Sequence, residues 1–149
     1  MVSEGEDSYF FDGEAIARVL LAPLAGKLCS HVKALAGEGR VYSCRRCFND
    51  AVEGYATPVS AVIPKWGFIL IDDDEKIDIE CARLISNINP AFMVRPDIYQ
   101  KKLVVVAKCR LSDCVLVTDD VGLSSSSMEN ICDELHFPYE TFDDLFGNI

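Results

Sequence analysis

The sequence predicts an α/β domain built on a central, mainly parallel sheet flanked by helices. Three observations carry that expectation. Short apolar, β-prone segments (Ser8–Phe11, Val41–Tyr42, Cys114–Thr118) alternate with stretches of helical periodicity. Strands alternating with helices imply crossover connections, hence parallel strands covered on both faces. The 149 residues are 50% hydrophobic and 26% charged, which suits one domain with a buried core rather than a disordered chain.

The elements read in order as follows. Ser8-Tyr9-Phe10-Phe11 is a short buried strand ending at Asp12-Gly13. Ile16, Val19 and Leu20 begin a helical pattern that Pro23 interrupts, because proline lacks the donor a helix interior needs. A second helix carries Leu24, Leu28, Val32 and Leu35, and Gly37 and Gly39 stop it. After Val41-Tyr42, Ser43 is expected to cap a helix from Cys44 to Tyr55, with Cys44, Cys47, Phe48, Ala51, Val52 and Tyr55 on one face.

The stretch Ala56 to Ile71 is punctuated by Pro58, Pro64 and Gly67, and its end, Phe68–Ile71, fits either an edge strand or a loop. Asp72 to Glu75 places acids at the positive end of a helix marked by Ile77, Cys81, Leu84, Ile85 and Ile88. Pro96 is a good first residue for a helix reaching Arg110, although its valine triplet favours strand. Cys114 to Thr118 is the clearest buried strand. Met128, Ile131, Cys132 and Leu135 give a helix, Phe137 to Thr141 a last strand, and Asp144 to Phe146 a short helix. One domain over residues 1–149 is expected, with residues 1–7 as a disordered tail.

Fourteen basic against twenty-four acidic residues leave a net charge of -10. That excludes a protein that grips nucleic acid by overall positive charge. No apolar run approaches the roughly 20 residues of a membrane span, so no membrane association is expected. An acidic N-terminus without a basic start and seven cysteines, an odd number, point to a reducing, cytoplasmic setting. Cys44-Arg45-Arg46-Cys47 is the one Cys-x-x-Cys, but no second pair completes four zinc ligands, so buried helix cysteines are the expectation.

In parallel sheets ligands gather beyond the carboxyl ends of strands. Asp12 follows the first strand, Asp119 and Asp120 follow the strand ending at Thr118, and Asp50 lies in the helix after the second. Gathered carboxylates repel unless a cation joins them, and hard oxygen ligands suit Mg²⁺ or Mn²⁺, which activate water for attack on phosphorus. Each acid has a simpler role available, since Asp after a strand commonly caps a turn or helix.

This pattern resembles the PIN domain family of nucleases, which includes the ribonuclease toxins of toxin–antitoxin pairs. Tyr9-Phe10-Phe11-Asp12 is similar to the family's opening strand and first acid. Asn49-Asp50-Ala51-Val52-Glu53-Gly54 is similar to its second acidic segment, with Asp50 as the acid and Glu53 as the fallback. Leu116-Val117-Thr118-Asp119-Asp120 is similar to its Val-Thr-x-Asp signature, which puts an acid on Asp120. The resemblance implies a metal-dependent ribonuclease with Asp12, Asp50 and Asp120 as catalytic acids, and with Mg²⁺ or Mn²⁺ held by these and Asp97. It also implies RNA as substrate, an antitoxin-like or regulatory protein partner, and a homodimer as the assembly.

Two departures matter. Glu14 stands where the family has a small polar residue. The family's remaining acid lies about sixteen residues before the signature Thr, and here that position is Lys102. Asp97, five residues earlier, is more than a helical turn away. A lysine there is expected to pair with Asp12 or Asp120 and take the place of a metal's charge, leaving a PIN-like module that works through protein contacts. A receiver-like α/β domain is the third alternative. Arg45, Arg46, Lys101 and Lys102 are read as a path for an RNA backbone, Lys108 and Arg110 as solvated helix faces, and His31 and His136 as isolated.

Overall fold

A computed structural model describes residues 7–21, 25–53, 67–90, 96–124 and 126–146. The expected tail up to residue 6, the break at Pro23 and the segment holding Pro58, Pro64 and Trp66 lie outside these residues. The described elements run β1 (Tyr9–Phe11), α1 (Gly13–Leu21), α2 (Ala25–Gly37), β2 (Val41–Ser43), α3 (Arg45–Val52) and β3 (Ile69–Leu70). They continue with α4 (Glu75–Ser86), α5 (Pro96–Leu111), β4 (Val115–Thr118), α6 (Met128–Leu135), β5 (Tyr139–Thr141) and α7 (Phe142–Phe146).

The strands form one sheet in the order β3-β2-β1-β4-β5. Every neighbouring pair is parallel, with Tyr9 opposite both Val41 and Val115, Tyr42 opposite Ile69, and Leu116 opposite Tyr139. A receiver-type sheet runs 2-1-3-4-5, so this order sets that alternative aside. Among the described residues, no helix is long and apolar enough to cross a membrane.

The central strands show why the sheet must be covered on both faces. Phe10 and Phe11 point to opposite sides, yet both are fully buried, as are Leu116 and Val117. On one side Phe68 sits edge-on to Phe11 (centroids 5.6 Å) and to Phe48 (5.4 Å), joining β1 to α3 through the residue just before β3. α1 packs on α3, and α5 packs on α4 and α6. The valine triplet of α5 is helical because the helix is buried round most of its circumference: Leu103, Val105, Val106, Ala107 and Cys109 are all in the core. Burial has overridden the local β preference.

One expected cap is corrected. Ser43 belongs to β2, and its hydroxyl donates to the Phe11 carbonyl oxygen at 2.7 Å. Cys44 is the N-cap of α3, without a side-chain capping bond, and α3 closes at Val52 with Glu53 as its C-cap, short of Tyr55. Elsewhere capping follows the sequence. Asp74 accepts from the Ile77 N–H, and Ser127 accepts from the Asn130 N–H. Lys108 departs from its expected solvated face, being buried with Nζ 2.6 Å from Asp73. His136 ends α6 with φ 54°.

Candidate functional site

The strand order reverses between β1 and β4, which makes their carboxyl ends the switch point where such sheets bind ligands. A cleft of about 210 Å³ opens there, lined by Asp12, Glu14, Arg46, Cys47, Asp50, Lys101, Lys102, Val105, Asp120 and Met128, among others. Four acids from three distant parts of the chain therefore share one space.

Thr118 is the residue that ties the two strand ends together. Its hydroxyl donates to Asp12 Oδ2 and accepts from the Asp120 N–H at 2.9 Å. Asp12 also accepts from the Ala15 N–H at 2.8 Å through Oδ1, so it caps α1 while it lines the cleft. The capping role and the site role, alternatives in the sequence, are both filled by one carboxylate. Burial pushes the Asp12 carboxyl up to about 7, against the two hydrogen bonds that favour its charge, and the nearby Asp120 and Glu14 charges push the same way.

Asp120 is neutralised from within the protein. Lys102 Nζ lies 2.5 Å from its Oδ2 and donates also to the Ser126 carbonyl oxygen, and the Met128 N–H reaches the same carboxylate oxygen at 2.9 Å. The Asp120 charge thus sits at the first turn of α6, beside the positive end of that helix. Glu14, opposite, is raised by burial and by Asp120, with Lys102 acting against both.

Asp50 reaches the cleft because α1 and α3 approach closely at Gly13. A side chain there would bring a Cβ within 3.2 Å of Asp50 Cβ and 3.3 Å of the Cys47 carbonyl oxygen. Partial burial raises the Asp50 carboxyl, while the Arg46 and Lys101 charges pull it down.

The other expected residues fall elsewhere. Asp97 is exposed in the first turn of α5 and is not part of the cleft lining. Asp119 turns away to Arg18, whose guanidinium also reaches Asp143 at 2.8 Å and lies over the Phe142 ring. Glu14, Arg46 and Lys101 line the cleft and were not marked as site acids or bases by the family pattern. The available signal was positional, since each lies within four residues of a marked acid or of Lys102 in sequence.

The residues present do not fit a resident Mg²⁺ or Mn²⁺. The Lys102 ammonium and the Met128 N–H both hold Asp120 Oδ2, where a cation would have to displace a like charge, and Asp12 is buried with its carboxyl pushed towards the neutral form. Among the described residues, no three His, Cys, Asp or Glu side chains gather as a metal-holding group.

A scan against protein-family models finds no match, and a search of the curated proteins finds none.

Proposed function

We propose that this chain is a PIN-like module whose acidic cleft is neutralised by its own lysine, and that it acts by holding a protein partner rather than by metal-dependent cleavage of RNA. The Lys102–Asp120 pair carries the reading. A positive charge stands where the resemblance requires a negative one, and it is anchored by a second bond to the Ser126 carbonyl oxygen. Like charges repel, so a divalent ion at Asp120 would have to displace an ammonium already in hydrogen-bond contact.

The competing reading is the metal-dependent ribonuclease of the toxin type. What favours it is that Asp12, Asp50 and Asp120 line one cleft with Glu14 at the switch point of the sheet.

One experiment separates them. The purified chain, Asp12→Asn and Lys102→Asp are each incubated with single-stranded RNA and Mn²⁺ or Mg²⁺, and their melting temperatures are followed with and without Mn²⁺. The module reading expects no cleavage and no metal-dependent rise in melting temperature for the unaltered chain. It expects a rise in Lys102→Asp, because an ion bound at a hundred times its Kd adds about 2.7 kcal/mol to stability. Cleavage by the unaltered chain that disappears in Asp12→Asn would establish the ribonuclease instead.

A further inference from the structure

The two cysteines of the Cys-x-x-Cys take no part in the reading above. They sit at the start of α3, an eight-residue helix, with Cys44 as its N-cap and Cys47 one turn on. Both are buried, and their sulfurs lie 3.3 Å apart in a thiol–thiol hydrogen bond. Cys47 also lines the cleft. A small molecule entering the cleft therefore meets one member of a facing pair.

We propose that Cys44 and Cys47 are a redox-active dithiol, which a hydroperoxide closes to an intramolecular disulfide. The sulfurs need to approach by only about 1.3 Å to reach bonding distance. Residues three apart on a helix face one another, so the closure stays within one turn.

The surroundings of Cys44 favour a thiolate within the pair, and Cys47 is the member that faces the cleft. The hydrogen bond with Cys47 does most to lower the Cys44 pKa, the N–H groups of Arg46 and Cys47 contribute, and the Lys108 charge adds to them, while burial works the other way. The bond with Cys44 and burial push Cys47 up, which leaves it the protonated partner. The thiols of Cys81, Cys109, Cys114 and Cys132 are all raised, chiefly by burial, and stay protonated. Since the thiolate is the nucleophile, the pair is the preferred target among the described cysteines.

The step balances in two parts. The one thiolate of the pair attacks a peroxide oxygen, the O–O bond breaks, and the departing oxygen takes up a proton and leaves as water or alcohol. The second thiol, 3.3 Å away, then attacks the sulfur of the resulting sulfenic acid. The S–S bond forms, the S–O bond breaks, and the hydroxyl leaves as water with the second thiol's proton. Two thiols lose two electrons and the peroxide gains them.

The test uses the full reduced chain, treated with hydrogen peroxide, blocked with a maleimide and mapped by mass spectrometry. The peptide spanning Cys44 and Cys47 is expected to become internally linked, about tenfold faster than any of Cys81, Cys109, Cys114 or Cys132 is lost, and to reopen with dithiothreitol. In Cys47→Ser, a sulfenic acid on Cys44 is expected to be trapped by dimedone. Should that variant not fold, the mapping of the unaltered chain decides. Recovery of both Cys44 and Cys47 as free thiols once Cys81, Cys109, Cys114 and Cys132 have begun to oxidise would overturn the proposal. So would over-oxidation of Cys44 to a sulfinic acid without linkage.

Discussion

Replacing Asp12 by Asn tests the electrostatics of the cleft directly. The Asp12 carboxyl is held at about 7 in the folded protein, against an ordinary value of 3.8. The folded chain therefore keeps a proton that the unfolded chain has already released, and stability falls as the pH rises from about 4 to about 7. Above that the loss is complete. A gap from 3.8 to about 7, at about 1.4 kcal/mol per tenfold, amounts to about 4 kcal/mol. Asparagine has the same shape, still accepts from the Ala15 N–H, and carries no charge at any pH. Below about pH 4 the two proteins should differ little, and by about pH 8 the Asn variant should be the more stable by up to about 4 kcal/mol. Urea unfolding at several pH values measures this. Carboxylates such as Asp73 and Glu80, which their basic partners hold below the ordinary range, titrate alike in both proteins and cancel in the difference. A stability difference that stays constant across the interval would refute the reasoning, since it would mean that Asp12 is charged in the folded state as readily as in the unfolded one.

Two other substitutions probe the same site. Thr118→Val keeps the shape of the side chain but removes the donor to Asp12 and the acceptor for the Asp120 N–H. It should cost about 1–3 kcal/mol in denaturant unfolding and move the Asp12 titration further up, as followed by carboxyl NMR. Gly13→Ala would gain up to about 1 kcal/mol in an open helix, from propensity alone. Here its Cβ meets Asp50 and the Cys47 carbonyl at 3.2 and 3.3 Å, so α3 must shift, and a loss of about 1–3 kcal/mol is expected. A gain instead would show that α1 and α3 are not closely packed at the cleft.

What the sequence conveys is clearest where local pattern and tertiary role agree. β1 and β4 are apolar and bounded by polar residues, and they form the middle of the sheet. Placing Asp12 and Asp120 together needed only the rule about strand ends, and Lys102 pairs with Asp120, one of its two expected partners. Misreadings arise where a distant contact decides. Ser43 precedes a helical pattern as a cap would, but the Phe11 carbonyl across the sheet claims its hydroxyl. Lys108 looks like surface until Asp73, thirty-five residues earlier, is seen to cover it. Asp97 is exposed on the first turn of α5 and is not among the residues that line the cleft, although its neighbour Ile98 is.

Thr118 and Asp12, whose side chains join the two halves of the cleft, are 106 residues apart in the chain. While the polypeptide is being made, β1 leaves the ribosome long before β4 exists to lie beside it. Its two phenylalanines must wait without their final neighbour until the residues from Asp12 to Val117 have been synthesised. Parallel pairings of such long range form slowly and leave sticky edges bare meanwhile. The cleft is thus among the last features of this molecule to form, since both of its strand ends are needed to build it.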